Sequence, residues 1–111
     1  MHYPSIFLAL SVLSLTQCSS LSIEECANSD WFALGLADGN RGTSSGQLNQ
    51  YQKDCREFNL SVDTAQWKQG YQQGLASYCV PENGYRVGLA GESYYGVCSN
   101  NQFVERYNQG H

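Results

Sequence analysis

Four residue types in this chain have the chemistry to form a reactive or ligand-binding site: cysteines, carboxylates, histidines and aromatics. The five cysteines are Cys18, Cys26, Cys55, Cys79 and Cys98. No pair is spaced C-x-x-C, so neither a zinc knuckle nor a thioredoxin-type redox motif is present. The two histidines are His2 and His111. A nucleophile–histidine system would depend on the terminal residue, and a zinc site lacks both imidazoles and thiolate spacing. Two carboxylates stand out by position. Asp38 falls on a glycine-rich helical stripe, and Glu92 falls at the matching offset in a later segment. Facing carboxylates can act as general acid and base in glycoside cleavage. A buried carboxylate can also serve structure, by accepting backbone N–H groups or pairing with Arg41 at i+3. The structural role is the expectation here, so no catalytic residue, metal site or cofactor is assigned.

The aromatics Trp31, Trp67, Tyr71, Tyr78, Tyr85, Tyr94 and Tyr95 can stack on sugar rings or anchor a protein partner. Most lie on inferred core stripes. Tyr94 and Tyr95 are adjacent, and neighbours cannot both face inward on a helix. One of them is the expected exposed contact, which leaves Tyr94, Tyr95 and Asp38 as the candidate ligand or partner residues. The six cations are scattered and the net charge is −4. Nucleic-acid binding is therefore disfavoured.

The elements that must position these residues are helices. Trp67, Gly70, Tyr71, Gly74, Leu75 and Tyr78 recur at helical spacing and form one stripe, with Lys68, Gln69, Gln72, Gln73 and Ser77 opposite. Glycine in an exposed helix costs roughly 1 kcal/mol against alanine. On a buried stripe it lets another backbone approach. Asp63 with Gln66 has the form of a capping box opening this helix. Trp31, Leu34, Gly35, Asp38, Gly39 and Gly42 repeat the same offsets behind a Ser29 or Asp30 cap. A helix from about Gln47 to Phe58 carries Leu48, Tyr51, Cys55 and Phe58. After Cys79, Pro81 and Asn83-Gly84 signal a turn. Tyr85 to Val97 fits either a third glycine-lined helix or irregular structure, and Phe103, Val104 and Tyr107 mark a last short helix. Three segments thus share an aromatic start followed by small residues, a weak internal repeat. The predicted fold is mainly α: a small disulfide-stapled bundle of short Gly-rich helices with loops.

The N-terminus reads as an address. Ile6 to Leu15 is an apolar run too short to span a bilayer, which takes roughly 20 residues, and it suits the core of a secretory signal. Leu15-Thr16-Gln17-Cys18 follows and resembles the lipobox of bacterial lipoproteins. Gln17 stands where that pattern usually holds a small residue. The resemblance implies that residues 1–17 are a signal peptide, that Cys18 is acylated, and that residues 18–25 form a lipidated tether. Residues 26–111 would then be a single small helical domain. With no Asp after Cys18, the resemblance implies outer-membrane anchoring with the domain facing the periplasm.

Cysteine parity agrees: Cys18 is the odd one, leaving Cys26, Cys55, Cys79 and Cys98 for two disulfides in an oxidising compartment. Each would add about 2–4 kcal/mol to a domain with a small core. If consecutive helices run antiparallel, Cys55 and Cys79 lie at opposite ends of a helix about 24 Å long at 1.5 Å per residue, beyond disulfide reach. The expected pairs are Cys26–Cys55 and Cys79–Cys98.

Three motifs in order are Asp30-Trp31-x-x-x-Gly35-x-x-Asp38-Gly39-x-x-Gly42, Gly70-Tyr71-x-x-Gly74-Leu75-x-x-Tyr78-Cys79 and Tyr85-x-x-Gly88-Leu89-x-Gly91-x-x-Tyr94-x-x-Val97-Cys98. Together they resemble the YfiL-like family of small bacterial lipoproteins, which carry a domain of unknown function. The resemblance spans Cys26 to Cys98 and implies a membrane-tethered envelope protein without implying an activity. The functional expectation is a non-enzymatic module, structural or binding an envelope protein. The alternative is a module that binds peptidoglycan or another glycan, or weakly hydrolyses it.

Overall fold

A computed structural model describes residues 20–111, and among these all regular structure is helical. The elements are α1 (Ile23–Asn28), α2 (Trp31–Asn40), α3 (Gln47–Arg56), α4 (Thr64–Tyr78), α5 (Pro81–Leu89) and α6 (Asn101–Gly110). Capping sets most of the starts. Asp30 accepts from Ala33 N at 3.1 Å, Asp63 from Gln66 N at 3.2 Å and Asn100 from Phe103 N at 2.9 Å. Each side chain satisfies one backbone donor that the first helical turn leaves free.

Two closely packed helix pairs dominate, α2 with α4 and α5 with α6. Glycines make both contacts. Gly35 lies on the Trp67 carbonyl and Gly39 on the Tyr71 carbonyl. In return Gly70 lies on the Phe32 carbonyl and Gly74 on the Leu36 carbonyl. A Cβ at any of these four positions would overlap the facing backbone oxygen. Contact positions advance together along both helices, so α2 and α4 run parallel, with α3 on the crossover between them. Close Cα–H···O approach of this kind adds a weak attraction to the packing. The second pair follows the same rule. Gly84 faces the Phe103 carbonyl, Gly88 faces that of Tyr107, and Gly110 faces that of Tyr85, so α5 and α6 are parallel too.

The two pairs are copies of one unit. Gly35, Gly39 and Gly42 correspond to Gly84, Gly88 and Gly91; Trp67, Tyr71 and Gly74 correspond to Phe103, Tyr107 and Gly110. Gly42 and Gly91 both end their helices with positive φ, at 71° and 72°. The backbone bonds there match as well: Gly42 N to Gly39 O at 3.0 Å and Gly91 N to Gly88 O at 3.1 Å, then Thr43 N to Asp38 O and Glu92 N to Val87 O, both at 3.0 Å. Tyr71 Oη donates to Thr43 O at 2.6 Å, and its counterpart Tyr107 Oη donates to Glu92 O at 3.2 Å. Each crossover carries a Tyr-x-x-x-Cys motif, Tyr51 to Cys55 and Tyr94 to Cys98. Each of these cysteines is disulfide-bonded to one that lies before or at the opening of its unit, Cys26–Cys55 and Cys79–Cys98. That is the connectivity helix polarity led us to expect.

The expected threefold repeat is therefore a twofold one. The third aromatic-and-glycine segment is a second copy of α2, and its partner is α6. The expected turn at Asn83-Gly84 lies inside α5. Pro81 occupies the first helical position, where its missing N–H costs nothing, and Val80 is extended with ψ 145°. The break between α4 and α5 is confined to Cys79-Val80. Gly84 is helical because the Phe103 carbonyl leaves no room for a side chain.

Part of the 18–25 segment that the sequence reading assigns to a tether is folded. Ser22 and Glu25 form a reciprocal capping box, with Glu25 N to Ser22 Oγ at 3.1 Å and Ser22 N to Glu25 Oε1 at 2.8 Å. That starts α1 at Ile23, and Leu21 N donates to Asp54 Oδ2 at 3.1 Å. These residues belong to the fold. The predicted signal segment and Cys18 lie outside the described residues.

Separate clusters fill the two units. Trp31, Leu48, Tyr51, Cys55, Trp67 and Tyr71 are prominent in the first; Tyr78, Val87 and Phe103 make the second. Tyr78 joins them. It ends α4, its ring covers Gly42, and it sits 5.1 Å from the Phe103 ring.

Candidate functional site

Asp38 is 0 % exposed and is the most deeply buried charge-bearing residue of the fold. Its position on α2 beside Gly35 and Gly39 aims it into the seam with α4 and the crossover. Oδ2 accepts from Trp67 Nε1 at 3.0 Å and Tyr51 Oη at 2.9 Å. Oδ1 accepts from Arg41 Nη2 at 2.6 Å, the i+3 pairing anticipated from sequence. Both oxygens are engaged, and the donors come from α4, α3 and the C-cap of α2. Trp67 and Tyr71 stack with centroids 4.5 Å apart and planes 15° apart, which walls the carboxylate with aromatic rings. Burial, reinforced by the hydrogen bond to the Asp38 carboxylate, raises the Tyr51 phenol above its ordinary range, and burial likewise raises Tyr71. A tyrosine held protonated remains a donor to the carboxylate, so this cluster is a structural lock.

The facing-carboxylate arrangement does not form. Glu92 lies beyond the end of α5, is exposed, and pairs with Arg86 at 3.3 Å on the surface. In the internal copy, the position of Asp38 is held by Val87, so the second unit replaces the polar lock by an apolar contact with Phe103. Asp54 is the buried carboxylate that sequence reasoning missed. It accepts Leu21 N and Gln50 Nε2 at 2.9 Å, and so fastens the N-terminal segment to α3. The signal for it was present: Asp54 adjoins Cys55 on the apolar side of α3, with Gln50 one helical turn earlier.

Tyr94 and Tyr95 have opposite fates. Tyr94 lies on the second cluster, 4.9 Å from Phe103 and 5.8 Å from Tyr107, and its Oη accepts from Cys98 N at 2.9 Å. Tyr95 is 62 % exposed on the same crossover, and Leu89 at the end of α5 is 64 % exposed. Of the sequence-predicted contacts, Tyr95 is at the surface, whereas Tyr94 belongs to the interior and Asp38 is sealed from solvent. Among the described residues no group of three or more His, Cys, Asp or Glu side chains is placed to hold a metal, and no helix is long and apolar enough to cross a membrane.

Fold and site together define a small disulfide-stapled α-helical protein built from two glycine-packed parallel helix pairs. The family model described as protein of unknown function (DUF2799) matches residues 30–111, and the chain belongs to that family. The match begins at the Asp30 cap and covers both units. No curated protein and no solved structure matches the chain.

Proposed function

We propose that this protein is a non-enzymatic lipoprotein of the bacterial cell envelope, acylated on Cys18, anchored in the outer membrane and facing the periplasm, where it binds another envelope protein. The observation that carries this reading is the partition of the five cysteines. Four are consumed by two internal disulfides, a pattern suited to an oxidising compartment. The remaining one, Cys18, directly follows an apolar segment in a lipobox-like context. The YfiL-like motif order supports the same address. The non-enzymatic part rests on Asp38, whose carboxylate is fully committed to Tyr51, Trp67 and Arg41.

Mass spectrometry of the mature N-terminus tests the address. Diacylglyceryl and acyl groups on Cys18 are expected; a free Cys18 thiol or cleavage elsewhere refutes it. Crosslinking in intact envelopes tests the binding role, with an envelope protein recovered with wild type and lost with Tyr95→Ala as the expected result.

A second reading, a peptidoglycan- or glycan-binding module, is favoured by one observation: the exposed Tyr95 ring on the crossover, suited to stacking on a sugar face. Saturable sedimentation with purified peptidoglycan, lost in Tyr95→Ala, would select it over the first.

A further inference from the structure

The two disulfides are equivalent in the duplicated architecture and unequal in their surroundings. Cys26 and Cys55 are 3 % and 0 % exposed, inside the first cluster. Cys79 and Cys98 are both partly exposed, at the edge of the second. Cys79 also lines a solvent-open cleft of about 400 Å³ whose other walls include Gln72, Leu75, Ala76, Val97 and Asn100. None of these residues is charged, so no fixed charge repels an incoming thiolate. What Cys98 secures is the end of an eleven-residue crossover without regular structure, residues 90–100. In the first unit the same span contains the whole of α3.

We propose that Cys79–Cys98 is a thiol–disulfide exchange site open to dithiols in the folded protein, and that Cys26–Cys55 is a permanent staple. In the exchange, a thiolate of the dithiol attacks one sulfur of the Cys79–Cys98 bond. A mixed disulfide forms, and the other cysteine leaves as a thiolate that takes up a proton. The second thiol of the reagent then attacks the mixed disulfide and releases the remaining cysteine. The protein disulfide gains two electrons and the dithiol is oxidised to a disulfide. Access governs which protein disulfide reacts this way, because the attacking sulfur must reach the bond end-on. Reduction would untie the crossover at Cys98, leaving Tyr94 on Phe103 through ring contact.

The experiment is timed reduction of the native, oxidised full chain with dithiothreitol in the absence of denaturant, quenched by alkylation and read peptide by peptide. Cys79 and Cys98 are expected to label at least about tenfold faster than Cys26 and Cys55, at a rate proportional to dithiol and unchanged by sub-denaturing urea. A Cys79→Ser, Cys98→Ser double variant, checked for helicity by circular dichroism, should keep Cys26–Cys55 unlabelled over the same period. Equal rates for the two bonds, faster labelling of Cys26 and Cys55, no reduction of Cys79–Cys98, or a rate independent of dithiol and raised by urea would each overturn the proposal. Cys18 is read on its own peptide, so failure of the lipid-anchor reading leaves this result untouched.

Discussion

Trp67 Nε1 donates to Asp38 Oδ2 across 3.0 Å, and this single bond ties α4 to α2 at a point where neither partner meets water. Tyr51 Oη completes the arrangement from α3. Removing the acceptor strands two buried donors at once, each costing about 1–3 kcal/mol when left unpaired. Asp38→Ala should therefore lower unfolding free energy by roughly 3 kcal/mol or more. Asp38→Asn, which keeps an acceptor oxygen, should cost less. Urea unfolding checks the order. An Asp38→Ala protein of unchanged stability that has lost its binding would reverse the structural assignment.

Gly39 rests on the Tyr71 carbonyl so closely that a methyl group has no space, whereas Gly46 has nothing nearer than Ser44 Oγ at 3.6 Å. Gly39→Ala should force the helices apart and cost about 1–3 kcal/mol, the usual range for overpacking, despite alanine's better helix propensity. Gly46→Ala, at a helical φ of −63°, should be neutral or stabilise by up to about 1 kcal/mol. Thermal melts of the two variants should move in opposite directions or by clearly different amounts.

Tyr51, Tyr71 and Tyr78 all have phenol pKa values raised above the ordinary 10.0, each chiefly by burial. A raised pKa means the unfolded chain releases these protons first. The associated stability is complete below about pH 10 and is lost as pH climbs through that value toward the folded-state pKa values. Stability measured by denaturant titration should hold up to pH 10 and fall steeply above it. Phenolate absorbance should show the Tyr51, Tyr71 and Tyr78 phenols ionising only as helicity is lost.

Tyr94 and Tyr95 are neighbours with separable roles. Tyr94→Ala removes a ring from Phe103 and Tyr107 and should destabilise by about 3–5 kcal/mol if the site cannot collapse. Tyr95→Ala should leave stability within about 0.5 kcal/mol, as surface substitutions usually do. Only Tyr95→Ala is then a clean probe of partner or glycan binding, and melting curves recorded beside the binding assay establish this.

Much of the fold is legible in the sequence alone. The offsets of Trp67, Gly70, Tyr71, Gly74 and Tyr78 follow from the helical period alone, and Asp30 and Asp63 cap helices through purely local bonds. The pairing of Cys26 with Cys55 follows from helix length, a local quantity, together with the assumption that consecutive helices joined by short connections run antiparallel. What tertiary structure decided was which stripe meets which. The sequence shows that α2, α4 and α5 each carry small residues in register. It does not show that α2 takes α4 and α5 takes α6, nor that both pairs are parallel, because a glycine stripe accepts any backbone that fits. The donors to Asp38 were hidden for the same reason. Tyr51 and Trp67 lie far from it along the chain, and only the close approach that the glycines permit brings an indole N–H and a phenol within hydrogen-bond reach of one carboxylate. Glu92 shows the converse: its offset matched that of Asp38, yet Gly91 turns the backbone to positive φ just before it, and the helix that would have carried Glu92 inward has already ended.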